Sequence, residues 1–137
     1  MMPITYRDTS DLPREGVLAL YGAIGWSAAK KPDELMRALA GSDVVYSAWD
    51  GDRLIGIANA LTDGHLVVYY PHILVLPDYQ GRGVGRRLLD MLQARYAHLH
   101  QQILVAEADS TGFYERAGFT HAGDTVPMWK YDGDDHG

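Results

Sequence analysis

Between Ile73 and Leu89 an apolar run, Ile73-Leu74-Val75-Leu76, stops at Pro77, passes through glycines at every second position and enters an arginine-rich stretch with helical spacing. This order of strand, glycine loop and helix constrains the fold more than any other feature of the chain. Glycine has no Cβ, so the backbone can approach an anion and turn successive N–H groups towards it. The helix that follows adds unpaired N-terminal donors and the positive end of its dipole. Gln80, Gly81, Arg82, Gly83, Val84, Gly85, Arg86 and Arg87 therefore read as a phosphate cradle, in which the three arginines supply charge that a pyrophosphate satisfies.

At 137 residues the chain is about one domain long and able to bury a core. A single domain over residues 1–131 with a solvated tail over 132–137 is expected. Hydrophobic residues at 47% and charged residues at 22% match a folded protein. The absence of cysteine excludes disulfides, thiolate-bound zinc and a cysteine nucleophile, and no metal is expected. No apolar run approaches the roughly 20 residues of a membrane helix, and Met1-Met2-Pro3-Ile4-Thr5-Tyr6-Arg7 has no signal-peptide pattern. A cytoplasmic location, away from membranes, is the expectation. A net charge of −6 argues against nucleic-acid binding and tolerates a cationic substrate.

The remaining elements follow from periodicity. Residues 4–7 read as a first strand, and Val17, Leu20, Tyr21 and Ile24 as one face of a helix closed by Gly25. After a loop over 26–31, Pro32 opens a second helix facing inward with Leu35, Met36 and Leu39. Residues 44–49 and 53–61 flank Asp50-Gly51-Asp52 as a hairpin. Residues 66–76 read as one long strand, locally distorted because Pro71 cannot donate to a ladder. Val84, Leu88, Leu92 and Tyr96 line the helix after the glycine loop. A strand over 103–106, a short helix over 111–117 capped by Ser110, and a terminal strand over 125–131 complete the reading.

In this order of elements the chain resembles the GNAT superfamily of acetyl-CoA-dependent N-acetyltransferases over nearly its whole length. Gln80, Gly83 and Gly85 match the family's cofactor signature, preceded by Val75 and Pro77, and Phe113, Tyr114, Gly118 and Phe119 match its second signature. Gly25-Trp26 and Met128 are similar to a branch acting on small amines. The resemblance implies an α/β (α+β) acyl-CoA N-acyltransferase fold: a mixed, twisted sheet of six to seven strands with about four helices, whose two central parallel strands splay to admit the cofactor. Two positions depart from the family. Glu107 stands seven residues before the motif tyrosine, where asparagine is usual, and His72 stands three before the motif valine, where relatives often carry aspartate.

The implied reaction moves an acetyl group from acetyl-CoA to a primary amine by direct attack. On this resemblance the backbone of Leu74, Val75 and Leu76 pairs with the pantetheine arm, the N–H groups from Arg82 to Arg87 bind the pyrophosphate, and Ser110, Phe113 and Tyr114 complete the cofactor site. Tyr114 is the expected general acid on the leaving thiolate. His72 is the expected base, because an imidazole titrates near neutrality, with Glu107 and His65 as competitors. Trp26, Tyr70 and Glu107 are expected at the acceptor, where Asp63, Asp109 and Asp124 could add negative charge. Proteins with this fold are often homodimers. The other reading is a non-catalytic acetyl-CoA sensor. A P-loop hydrolase is excluded because no Lys-Ser or Lys-Thr follows a suitable glycine pair, and the different glycine spacing and late loop disfavour a dinucleotide oxidoreductase.

Overall fold

The hairpin predicted around Asp50-Gly51-Asp52 is the centre of the fold. Strands β2 (Val44–Asp50) and β3 (Arg53–Thr62) pair along their whole length, turning at Gly51 with φ +59°. The structure, a computed structural model, describes residues 3–136. Met1 and Met2, at the start of the expected domain, and Gly137, at the end of the expected tail, lie outside the described residues. Residues 44–49 are all buried, which requires cover on both faces of the sheet. Helices α1 (Arg14–Ile24) and α3 (Val84–Arg95) supply it, both packing against β3 and β5 (Ile73–Val75).

The helices bury the faces that periodicity selects. Val17, Leu20 and Tyr21 of α1 are fully buried, and a left-handed Gly25 ends it. In α2 (Pro32–Ala40) Leu35 and Leu39 turn inward. Val84, Leu88 and Leu92 of α3 and the following Tyr96 are buried, and α4 (Thr111–Arg116) is a short final helix. Ser110 precedes α4 without making the expected capping hydrogen bond.

Among the described residues six strands form one sheet in the order β1 (Thr5–Arg7), β2, β3, β4 (Val67–Tyr69), β6 (Gln101–Ile103), with β5 also on β3. All pairs are antiparallel except β4 with β6. This is the mixed α/β arrangement expected from the sequence. The long strand expected over 66–76 is broken at Tyr70-Pro71-His72 into β4 and β5. Both halves pair with β3, but the register slips by one residue between them: Leu61 faces Tyr69, whereas Ala58 faces Ile73. Asn59 spans the slip. Its backbone N–H donates to the His72 carbonyl (3.1 Å), and its side-chain oxygen accepts the His72 N–H (3.0 Å).

Two expected strands need correction. The strand predicted over 103–106 is β6 at 101–103, because parallel pairing with β4 ends where the Tyr70 N–H donates to the Ile103 carbonyl (3.1 Å). Beyond Ile103 the chain parts from β5, which opens the expected splay. The strand predicted over 125–131 does not form. Val126 and Met128 alternate but stay exposed, and Pro127 between them cannot donate to a ladder. Instead this segment runs on to Asp135 and His136, which are half-buried against Ser27 and Glu107 where a solvated tail was expected. Among the described residues no helix is long and apolar enough to cross a membrane.

Candidate active site

The opening between β5 and the chain after β6 holds two adjoining clefts. The first, about 540 Å³, runs along β5 to the start of α3. The second, about 970 Å³, lies between the Tyr70-Pro71-His72 break, residues 104–108 and the last described segment. Trp26, Ile73, Ser110 and Tyr114 line both.

The glycine loop is built as a cradle, but its glycines do different things. Gly81 and Gly83 are left-handed, with φ +77° and +82°, a conformation that costs other residues energy. Gly85 is already helical. The first bond of the α3 ladder is from the Arg87 N–H to the Gly83 carbonyl (3.0 Å), so the N–H groups of Val84, Gly85 and Arg86 have no partner within the helix. This corrects the expected donor set, because the Arg87 amide is occupied. The Arg87 side chain lies over Tyr6 (5.8 Å), and Arg82 over Tyr79 (5.2 Å). Arg86 does line the cleft, while its guanidinium reaches Asp90 (2.8 Å) and the Arg116 carbonyl (3.3 Å). Arg116, which no sequence motif singled out, lines it as well.

Register decides which β5 groups face the cleft. Leu74 lies opposite Ile57, and the Leu76 N–H donates to the Ile55 carbonyl (2.8 Å), so the backbones of these two are directed to β3. Alternation turns Ile73 and Val75 the other way. Of the three backbones expected to receive the cofactor arm, Val75 alone faces the opening, joined by Ile73 from the distorted stretch. Gln80 Nε2 donates to the Val75 carbonyl (2.9 Å), tying the loop to the strand. Leu74 still lines the cleft, as do Phe113 and Tyr114.

Tyr114 stands at the junction of the clefts, edge-on to Phe113 (5.0 Å), and burial raises its phenol pKa. His72 is mostly buried in the second cleft. Burial, with a smaller contribution from His136, lowers its pKa to about 4. Its Nδ1 lies 2.8 Å from the hydroxyl of fully buried Tyr21, whose pKa burial raises strongly. Among the described residues this is the sole partner of that hydroxyl, and it ties the neutral His72 ring to the core. A histidine expected to titrate near neutrality is thus neutral in the fold.

The expected acceptor residues converge, with qualifications. Trp26, Tyr70 and Glu107 all line the second cleft. Tyr70 is nonetheless 2% exposed, and its hydroxyl donates to Gln102 (2.5 Å). Asp63 is not part of the cleft. Its carboxylate accepts the N–H groups of His65, Leu66 and Val67 in a turn, which lowers its pKa to about 2. Sequence reasoning missed the far wall. Trp129 and Tyr131 stack at 4.6 Å, Ser27 N–H donates to Asp135 (2.9 Å), Lys31 to Asp132 (2.7 Å), and His136 meets Glu107.

The profile of the acetyltransferase (GNAT) domain matches residues 9–128. An uncharacterized N-acetyltransferase, ycf52, of Pyropia yezoensis is 30% identical over 114 residues, which are 78% of this chain and 64% of that protein. The chain thus spans less than two thirds of that relative. The mycothiol acetyltransferase of Geodermatophilus obscurus is 40% identical over 91 residues, 58% of this chain and 30% of that enzyme. Among solved structures, a GNAT family acetyltransferase from Streptococcus pneumoniae TIGR4 superposes with a TM-score of 0.82 at 31% identity, covering 96% of this chain and 100% of that one.

Proposed function

The chain belongs to the GNAT acetyltransferase family, and from that premise we propose that it transfers an acetyl group from acetyl-CoA to the primary amine of a small molecule by direct attack. The observation that carries this reading is the continuity of the two clefts through Tyr114 and Ile73: an anion cradle at one end, an open strand edge between, and a carboxylate-lined chamber beyond.

Acetyl-CoA supplies the activated acetyl thioester. The amides of Val84, Gly85 and Arg86 and the positive end of α3 hold its pyrophosphate. The backbone edge of Ile73 and Val75 receives its extended arm as a strand would. Pro71 has no N–H and the His72 N–H is held by Asn59, so the Ile73 N–H is the donor for charge developing on the thioester oxygen. Such a donor is worth about 3 kcal/mol in other enzymes. Tyr114 keeps its proton because burial disfavours phenolate, and delivers it to the departing thiolate. His72, tied to Tyr21, lines the acceptor end, while the attacking amine loses its proton to solvent.

Incubation with acetyl-CoA and a panel of small amines, following thiol release and product mass, tests the assignment. Acetylated product is expected. Tight cofactor binding with no thiol release for any amine would instead favour the sensor.

A further inference from the structure

A side chain of the protein itself, His136, occupies part of the second cleft. Both ring nitrogens of His136 face carboxylates: Nδ1 meets Glu107, and Nε2 lies 3.4 Å from Asp135. Three aromatic rings surround the imidazole, with centroids at 6.0 Å for Trp26, 6.1 Å for Trp129 and 5.6 Å for Tyr131. Nδ1 hydrogen-bonds with Glu107, while Nε2 stands close to the Asp135 carboxylate. Hydrogen bonds keep Asp135 ionised. Burial opposes the charge of Asp135, but donation from the Ser27 N–H and the Tyr131 hydroxyl outweighs it and holds that carboxyl below its usual range. These contacts, with Lys31 to Asp132, anchor the wall independently of His136, so the imidazole can leave while Asp135 and Tyr131 stay.

We propose that this box is the docking point for one ammonium of an aliphatic diamine-type acceptor, and that His136 occupies it as a resident competitor. The inference rests on the acetyl-transfer reading and narrows its substrate class. Two carboxylates and an aromatic cage keep a bound amine protonated, and a protonated amine has no lone pair with which to attack. The nitrogen in the box is therefore not the one acetylated. The acceptor carries a second amino group that reaches the junction at Tyr114 uncharged.

The test measures binding by the fluorescence of the cleft tryptophans and turnover by thiol release, using diaminobutane, butylamine and butanediol. Diaminobutane should bind and butanediol should not. If His136 fills the box for nine-tenths of the time, His136→Gln tightens diaminobutane by about tenfold. Adding Glu107→Gln to that variant should remove the gain. Butylamine should inhibit competitively without being acetylated at a comparable rate. Unchanged diamine affinity in His136→Gln, equal binding of diol and diamine, or butylamine acetylated as fast as diaminobutane would each overturn the proposal. Diamine binding that tightens in His136→Gln and is lost on adding Glu107→Gln, with no thiol release, supports the box and removes the acetyl-transfer reading instead.

Discussion

Burial acts on Tyr114 and His72 in the same way, by disfavouring charge, with opposite consequences for what each can do. It raises the tyrosine and so preserves a proton that can be given. It lowers the histidine to about 4 and so removes most of its basicity. Tyr114→Phe should lower kcat by roughly 10²-fold with little change in acetyl-CoA affinity, as stopped assays and cofactor titration would measure. Turnover unchanged across the pH range would remove the role. Tyr114 could be located from sequence because its motif is local: an aromatic pair followed by a glycine turn. The state of His72 could not, since it depends on Tyr21, 51 residues away, and on His136. Residue type announced a titratable group, while only packing fixed its charge.

At the scale of elements, the glycine loop and broken strand were legible because each is marked by residues with special backbones. The sequence treats Gly81, Gly83 and Gly85 alike, whereas the structure separates them. A Cβ at Gly83 meets no atom within 4 Å but forces a left-handed alanine, whereas one at helical Gly85 would touch Phe113 (3.5 Å) and Val75 (3.6 Å) at ordinary contact distance. Gly83→Ala should therefore cost about 1–2 kcal/mol in urea unfolding and weaken cofactor binding, while Gly85→Ala leaves stability nearly unchanged. Equal effects at both positions would contradict this division. Less legible were the ends of ladders. The offset of β6 and the unformed strand over 125–131 depend on which strand edge is within reach, and alternation reports only which side chains share a face. Pro71 announced a distortion, but the one-residue slip that aims the Ile73 amide required Asn59, a buried polar residue in an otherwise apolar strand.

For the molecule as a whole, His72 links the site to global stability. Its pKa of about 4 in the fold lies below the ordinary 6.5, so as pH falls between these values the unfolded chain gains a proton that the native protein refuses. Stability is full above pH 6.5 and declines towards pH 4, by at most about 3 kcal/mol. Urea titrations across this window should show that slope in the native sequence and a flatter profile in His72→Gln. A slope retained by the variant would assign it elsewhere. The carboxyls of Asp63 and Asp135, held low in the fold, give up their charge only below this window. The same interior explains why the sheet is open where it is. Past the Tyr70–Ile103 bond, β5 and the chain after β6 share no ladder among the described residues, so the two halves of the sheet meet through β3 alone along that stretch. Whichever ligand first fills the slot bears the entropic cost of stiffening it, and the next enters a frame already set. An unbridged seam in a sheet thus makes each occupant favour the other, with no hinge and no moving domain.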